Sequence, residues 1–260
     1  DFPNLRQLTT IPFTSPPWRL ANRLDQTRHI RLAGEWAVQF RVVFDYGLTD
    51  SHAALITADT LIATCHPNRS LDEFALPRDA RGRTFPVRPI DLDAQRAVIH
   101  RLIATATKAG SEIIILPELC VTEPLARRLH EWVQHPDGPR LLVAGTYHHE
   151  GHQDGDDLPR RRRNTALVWA RGHDQPLTHD KHSAADGPIV EDIQPRGWPE
   201  LRVHVIDGWH VVVAVCRDLL NPYAVHTLTE IGANLVLVPA MSQTLLAFVG
   251  QGANLVGSCQ

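Results

Sequence analysis

Ala109 to Leu119 reads AGSEIIILPEL, and Ile231 to Met241 reads IGANLVLVPAM. Each passage sets a glycine before a run of purely apolar, mostly β-branched residues and closes the run with proline. Unbroken runs of this kind belong to strands covered on both faces, because a strand with one wet face would alternate. Upstream of the first passage, Leu92, Ala94, Val98, Ile99, Leu102, Ile103 and Ala106 recur at helical spacing behind Asp91, a good N-cap. Tyr223 to Ile231 is helix-like ahead of the second. The helix, glycine, buried strand rhythm therefore occurs twice and suggests an internal repeat, one unit in each half of a layered α/β domain.

Other segments fill in this frame. Trp36 to Phe44 (WAVQFRVVF) is strand-like, and Ala53 to Cys65 is a second apolar run. Arg140 to Thr146, Thr165 to Ala170, Leu177 to Asp180 and His210 to Cys216 supply further strands. Residues 1–35 hold Pro3, Pro12, Pro16 and Pro17 and read as an extension or linker, leaving 36–260 as the domain. Segments 66–90, 147–163 and 183–200 read as loops. Within the second of these, Asp154, Asp156 and Asp157 adjoin Arg160 to Arg163 as a self-compensated, solvated stretch. His148, His149 and His152 are placed in the same exposed loop. The chain starts at Asp1 without a methionine, and Ala253 to Gln260 resemble the middle of an element, as expected for part of a longer polypeptide.

Composition narrows the function classes. Of 260 residues 43% are hydrophobic and 21% charged, with a net charge of -3. No apolar run approaches the roughly 20 residues of a membrane span, and a near-neutral total does not indicate nucleic-acid binding. Cys65, Cys120, Cys216 and Cys259 are widely spaced with no CxxC pair, which suits neither a disulfide framework nor a zinc knuckle. A reducing, cytoplasmic setting follows as the simpler expectation. Only Lys108 and Lys181 among 26 basic residues are lysines. Arg stays protonated nearly everywhere, whereas Lys places a compact ammonium and responds to burial, so each lysine in an Arg-rich chain draws scrutiny.

Three residue types could share one site. Cys216 closes HVVVAVC where the chain turns towards a helix, the edge at which open α/β sheets expose reactive groups and a helix start favours a thiolate. Glu118 follows Pro117 at the end of EIIILP. Lys181 follows the link RGHDQP and the short strand Leu177 to Asp180. A carboxylate to accept the thiol proton, a thiolate to attack carbon and an ammonium to hold the developing charge make a nucleophilic site without histidine.

The ordered set IIILPEL, NTALVWARGHDQPLTHDKH and VVVAVCRDLLNP followed by GANLVLVPA resembles the nitrilase superfamily of carbon–nitrogen hydrolases, over about two thirds of the chain from Leu92 onward. The resemblance implies an α-β-β-α sandwich of two pseudo-symmetric halves, incomplete at its C-terminal end, with Thr60 to Cys65 as the first strand. It implies Glu118 as general base, Lys181 as oxyanion stabiliser, Cys216 as nucleophile and Glu191 as a second glutamate beside the lysine. Asn164 would open the strand before the lysine hairpin. Arg217 and Asp218 would lie near the substrate, and together with His179 and Asp180 they depart from the family's usual residues, which bears on the acyl group more than on the triad. The implied activity is hydrolysis of an amide, carbamoyl compound or nitrile, with a small-molecule substrate, no metal or organic cofactor, and pairing of copies or incorporation in a larger polypeptide. Two rivals are acyl transfer and a nitrilase-like module used for binding or assembly, since some defence-associated reverse transcriptases resemble this arrangement in carrying such a region.

Overall fold

The computed structural model describes residues 40–151, 161–194, 199–242 and 245–258. The proline-containing extension and the Asp154, Asp156, Asp157 cluster lie outside these residues, as do His152 and Arg160. In chain order the elements are β1 (Arg41–Asp45), β2 (Ile62–Thr64), β3 (Phe74–Ala75), β4 (Arg88–Pro89), α1 (Leu92–Lys108), β5 (Ile113–Leu116), α2 (Glu123–Arg128), α3 (His130–Gln134), β6 (Leu141–Gly151) and β7 (Arg161–Ala170). There follow β8 (Leu177–Asp180), β9 (Glu200–Ile206), β10 (Trp209–Val213), a 3₁₀ turn (Cys216–Leu220), α4 (Pro222–Glu230), β11 (Leu235–Leu237) and α5 (Leu246–Ser258).

α1 begins where the Asp91 carboxylate accepts the Ala94 N–H at 2.9 Å, and it ends at Gly110, whose φ of +82° few side chains tolerate. Its Ile99 and Ile103 turn inward. β5 then enters a five-stranded sheet of order β2-β5-β6-β7-β8, flanked by parallel partners on both sides. β11 runs parallel to β10 at one edge of a four-stranded sheet of order β1-β9-β10-β11.

The period of two along each strand explains why these runs are apolar throughout. Ile113, Ile115, Val143, Ala166 and Val168 point to a core shared with Val211, Val213 and Leu237 of the second sheet. Ile114, Leu116, Leu142, Leu167 and Trp169 point the other way, against Ile99 and Ile103 of α1, Ala126 of α2 and Val133 of α3. On the far side, Leu201, Val203 and Val212 meet Ala224 and Leu228 of α4 and Phe248 and Leu255 of α5. Two sheets stacked face to face, each covered by helices outside, make an α-β-β-α sandwich.

Several segments depart from the sequence reading. β6 and β7 extend well beyond their apolar stretches, pairing Tyr147 with Thr165, His148 with Asn164 and Gly151 with Arg161. The polar residues read as loop are therefore strand wherever they are described. Their charges find partners across the sheet and beyond it: Arg163 meets Asp180 at 3.1 Å, and Arg162 bonds Asp192. β9, read partly as loop, lies between β1 and β10. Of the run Ala53 to Cys65, only Ile62–Thr64 is strand, within the segment expected to open the fold.

Candidate active site

The site forms at the carboxyl ends of β5 and β10, at one end of the layer between the sheets. Past β5 the chain turns sharply after Glu118: Leu119 has φ +57°, and its N–H is caught by the Thr146 hydroxyl at 2.9 Å. A bulge in β6 supports this turn. Gly145 sits there at φ +71°, where a Cβ would stand 2.8 Å from both the Pro117 carbonyl oxygen and the Cys120 sulfur. Past β10 the chain makes a comparable turn at Cys216, which has φ +48° and donates its N–H to the Pro239 carbonyl at 2.9 Å. A non-glycine residue in this region is uncommon and is held by its surroundings. Lys181 extends β8 by one step, its N–H reaching the Asn164 carbonyl at 2.8 Å. A cavity of about 830 Å³ opens over these turns, lined by Glu118, Lys181, Glu191, Cys216, Arg217 and Met241 among others.

Lys181 is 2% exposed and its Nζ lies 2.7 Å from Glu118 Oε1 and 2.6 Å from Glu191 Oε2. Asn164 spans the same carboxylates, with Nδ2 at 2.9 Å from Glu118 Oε1 and 2.8 Å from Glu191 Oε1. The inward face of β7, marked by Ala166 and Val168, includes Asn164 by the same alternation. His148 adds a donor: its Nδ1 accepts the Val87 N–H at 2.9 Å, so the ring proton sits on Nε2 and is donated to Glu191 Oε1 at 2.8 Å. The Ala185 N–H completes the set at Glu191 Oε2, 3.0 Å away.

The two carboxylates thus differ in capacity. Glu191 accepts two donors on each oxygen. Burial works against its charge, but the His148 hydrogen bond and the Lys181 ammonium outweigh burial and hold its pKa at about 2. It stays ionised. Glu118 keeps Oε2 for the Met241 N–H at 3.3 Å, and the Cys216 thiol hydrogen-bonds to its carboxylate. Burial disfavours the Lys181 ammonium, yet Glu118 and Glu191 together raise its pKa above the ordinary lysine value.

Burial pushes the Cys216 thiol well above its usual pKa and the Glu118 charge adds to this, with Lys181 offsetting part. This corrects the expectation that a helix start favours the thiolate: Cys216 heads only a five-residue 3₁₀ turn, and burial together with the adjacent carboxylate outweighs it. Cys216 therefore rests as a thiol, hydrogen-bonded to the Glu118 carboxylate.

Arg217 lines the cavity and pairs with Asp186. Asp218, expected beside the substrate, is instead fully buried and is not among the residues lining this cavity. Its oxygens accept the N–H groups of Ser183 at 2.8 Å, His182 at 3.1 Å and Val215 at 3.3 Å, tying the Lys181 segment to the Cys216 turn. His148 was assigned to an exposed loop, but its side chain is fully buried. The signal for it was available in the strand period: carrying β6 past a one-residue bulge at Gly145 puts Thr146 and His148 on the inward face.

No family model and no curated protein matches the chain. Among solved structures, it is similar to a variant of the amidase from Nesterenkonia sp. AN1 with acrylamide added at the active-site cysteine, at 23% identity over 61% of this chain and 66% of that one, with a TM-score of 0.45. A second variant of that amidase, described as belonging to the nitrilase superfamily, shares 22% identity over 65% and 69% of the two chains, with a TM-score of 0.47. The glutamine-dependent NAD+ synthetase from Acinetobacter baumannii shares 21% identity over 58% of this chain and 30% of its own, with a TM-score of 0.44. The chain spans just under two thirds of the first amidase, at 66% of its length.

Proposed function

We propose that this chain is a hydrolase of the nitrilase superfamily that cleaves a non-peptide carbon–nitrogen bond through a thioester on Cys216. The observation that carries this reading is the Lys181 ammonium, 2.7 Å from Glu118, beside a buried thiol that hydrogen-bonds to the same carboxylate under an open cavity. In the cycle, Glu118 takes the Cys216 proton as sulfur attacks the amide, carbamoyl or nitrile carbon. Lys181 stabilises the charge that develops on oxygen or nitrogen, and Glu118 returns the proton to the departing ammonia or amine; with a nitrile the proton goes first to the thioimidate nitrogen, and a water adds to that carbon before ammonia leaves. A water deprotonated by Glu118 then attacks the thioester and restores the thiol. Glu191 stays ionised throughout and fixes Lys181 in place, so one carboxylate moves protons while the other supplies a constant charge. Each step uses only these side chains and water.

The test is a panel of simple amides, carbamoyl amino acids and nitriles scored by released ammonia, with intact-mass detection of an adduct on Cys216. Cys216→Ala is expected to abolish both signals. Lys181→Arg is expected to abolish turnover, because a planar guanidinium does not fit a pocket built around one ammonium. Full activity in either variant overturns the mechanism.

A further inference from the structure

We propose that His179, His182 and Asp218 form a binding site for a divalent transition metal of the zinc class, behind the Lys181 and Cys216 segments. This goes beyond the hydrolytic reading and does not depend on it. His179 Nε2 lies 3.4 Å from Asp218 Oδ2, and His182 Nδ1 lies 3.2 Å from Asp218 Oδ1. One ligand atom from each of the three residues falls within 4.8 Å of the other two. A tetrahedral zinc ion with ligands at about 2.0–2.1 Å separates them by about 3.3 Å; the two imidazoles approach different oxygens of Asp218, so their rotation gathers both nitrogens around one ion that the carboxylate holds from the third side.

The electrostatics point the same way. Asp218 is fully buried, and the side chains within pairing distance of its carboxylate among the described residues are those of the two histidines, not of a lysine or arginine. Buried carboxylates are normally paired with a cation or bound to a metal. The three backbone N–H groups on Asp218 hold the carboxylate in orientation, as outer partners do around metal ligands. A separate cavity of about 160 Å³ opens on His179 and His182, offering an entry route and room for a water ligand. Two imidazoles and one carboxylate are donors that suit zinc and neighbouring transition metals rather than calcium or magnesium. An ion there would cross-link the strand carrying Lys181, two residues past His179, to the turn that starts at Cys216.

The test uses the full chain carrying Cys216→Ala, stripped with chelator, incubated with Zn²⁺ and passed through a desalting column. One zinc per chain is expected to remain by elemental analysis, and Co²⁺ is expected to give the visible absorption of a tetrahedral site. His179→Gln and His182→Gln are each expected to weaken zinc binding at least about tenfold while circular dichroism stays unchanged, and the zinc-dependent rise in melting temperature should vanish with them. Failure of the parent to retain zinc overturns the proposal. Equal retention by the double histidine variant also overturns it, since the metal would then sit on Cys65, Cys120 or elsewhere. These outcomes are independent of turnover, so they stand apart from any failure of the hydrolytic reading.

Discussion

Glu191→Gln removes a single charge and almost no volume, yet the geometry makes it a severe change. Oε1 of Glu191 receives His148 Nε2 and Asn164 Nδ2 at 2.8 Å each, and Oε2 receives Lys181 Nζ at 2.6 Å and the Ala185 N–H at 3.0 Å. All four partners are donors. Whichever way a glutamine amide is turned, its NH₂ group faces two of them and loses both bonds. Hydrogen bonds to charged groups contribute roughly 1.5–3 kcal/mol each, so two lost bonds cost about 3–6 kcal/mol, a large share of the 5–15 kcal/mol typical of a domain. At about 2–4 °C per kcal/mol for a chain of this size, the melting temperature is expected to fall on the order of 10 °C. Turnover is expected to fall as well, since Lys181 loses one of its two anchors. Differential scanning calorimetry of the purified variant against the parent checks this. A melting temperature within about 2 °C of the parent would refute the claim that Glu191 is saturated by donors, and with it the division of labour between the two carboxylates.

Two further expectations rest on burial and backbone shape. Burial lowers the pKa of both His182 and His204 to about 4, so between pH 6.5 and 4 the unfolded chain takes up protons that the fold refuses. Stability is therefore full above about pH 6.5 and declines as pH falls, by about 2 kcal/mol per histidine at pH 5. Urea midpoints at pH 7 and pH 5 test this, and equal midpoints would sink it. Gly145→Ala forces a Cβ to 2.8 Å from the Pro117 carbonyl at a φ of +71°. It is expected to cost at least about 1–3 kcal/mol and to lower turnover by shifting the turn that carries Glu118. A fully active variant of unchanged melting temperature would remove Gly145 from the argument.

What was legible in the sequence is what local pattern determines. β5 reads as a buried strand because Ile113 and Ile115 face one core while Ile114 and Leu116 face another, so no position is left for a polar residue. The site ends of β6 and β7 do not read as strand, because there the inward face carries chemistry instead of packing. Asn164 and His148 occupy positions that an apolar template would fill with valine, and their neighbours Arg162 and Arg163 are satisfied by Asp192 and Asp180 from distant segments. No window of sequence contains those partners. The resemblance set Asp218 near the substrate, but the N–H groups of His182 and Ser183, more than thirty residues earlier, draw it inward.

The repeat that opened the fold also shows how a symmetric frame yields an asymmetric site. In the two matched passages Pro117, Glu118 and Leu119 correspond to Pro239, Ala240 and Met241. Both segments reach the same cavity, but the first brings a carboxylate and the second only backbone: the Met241 N–H lies 3.3 Å from Glu118 Oε2, and the Pro239 carbonyl accepts the Cys216 N–H. Cys216 itself arrives on β10, the parallel neighbour of the repeated strand β11. A side chain at Ala240 was therefore not required for the second half to contribute. Its strand end supplies the donor to the Glu118 carboxylate and the acceptor that holds Cys216 at φ +48°, and these contacts belong to the main chain whatever residue is written there.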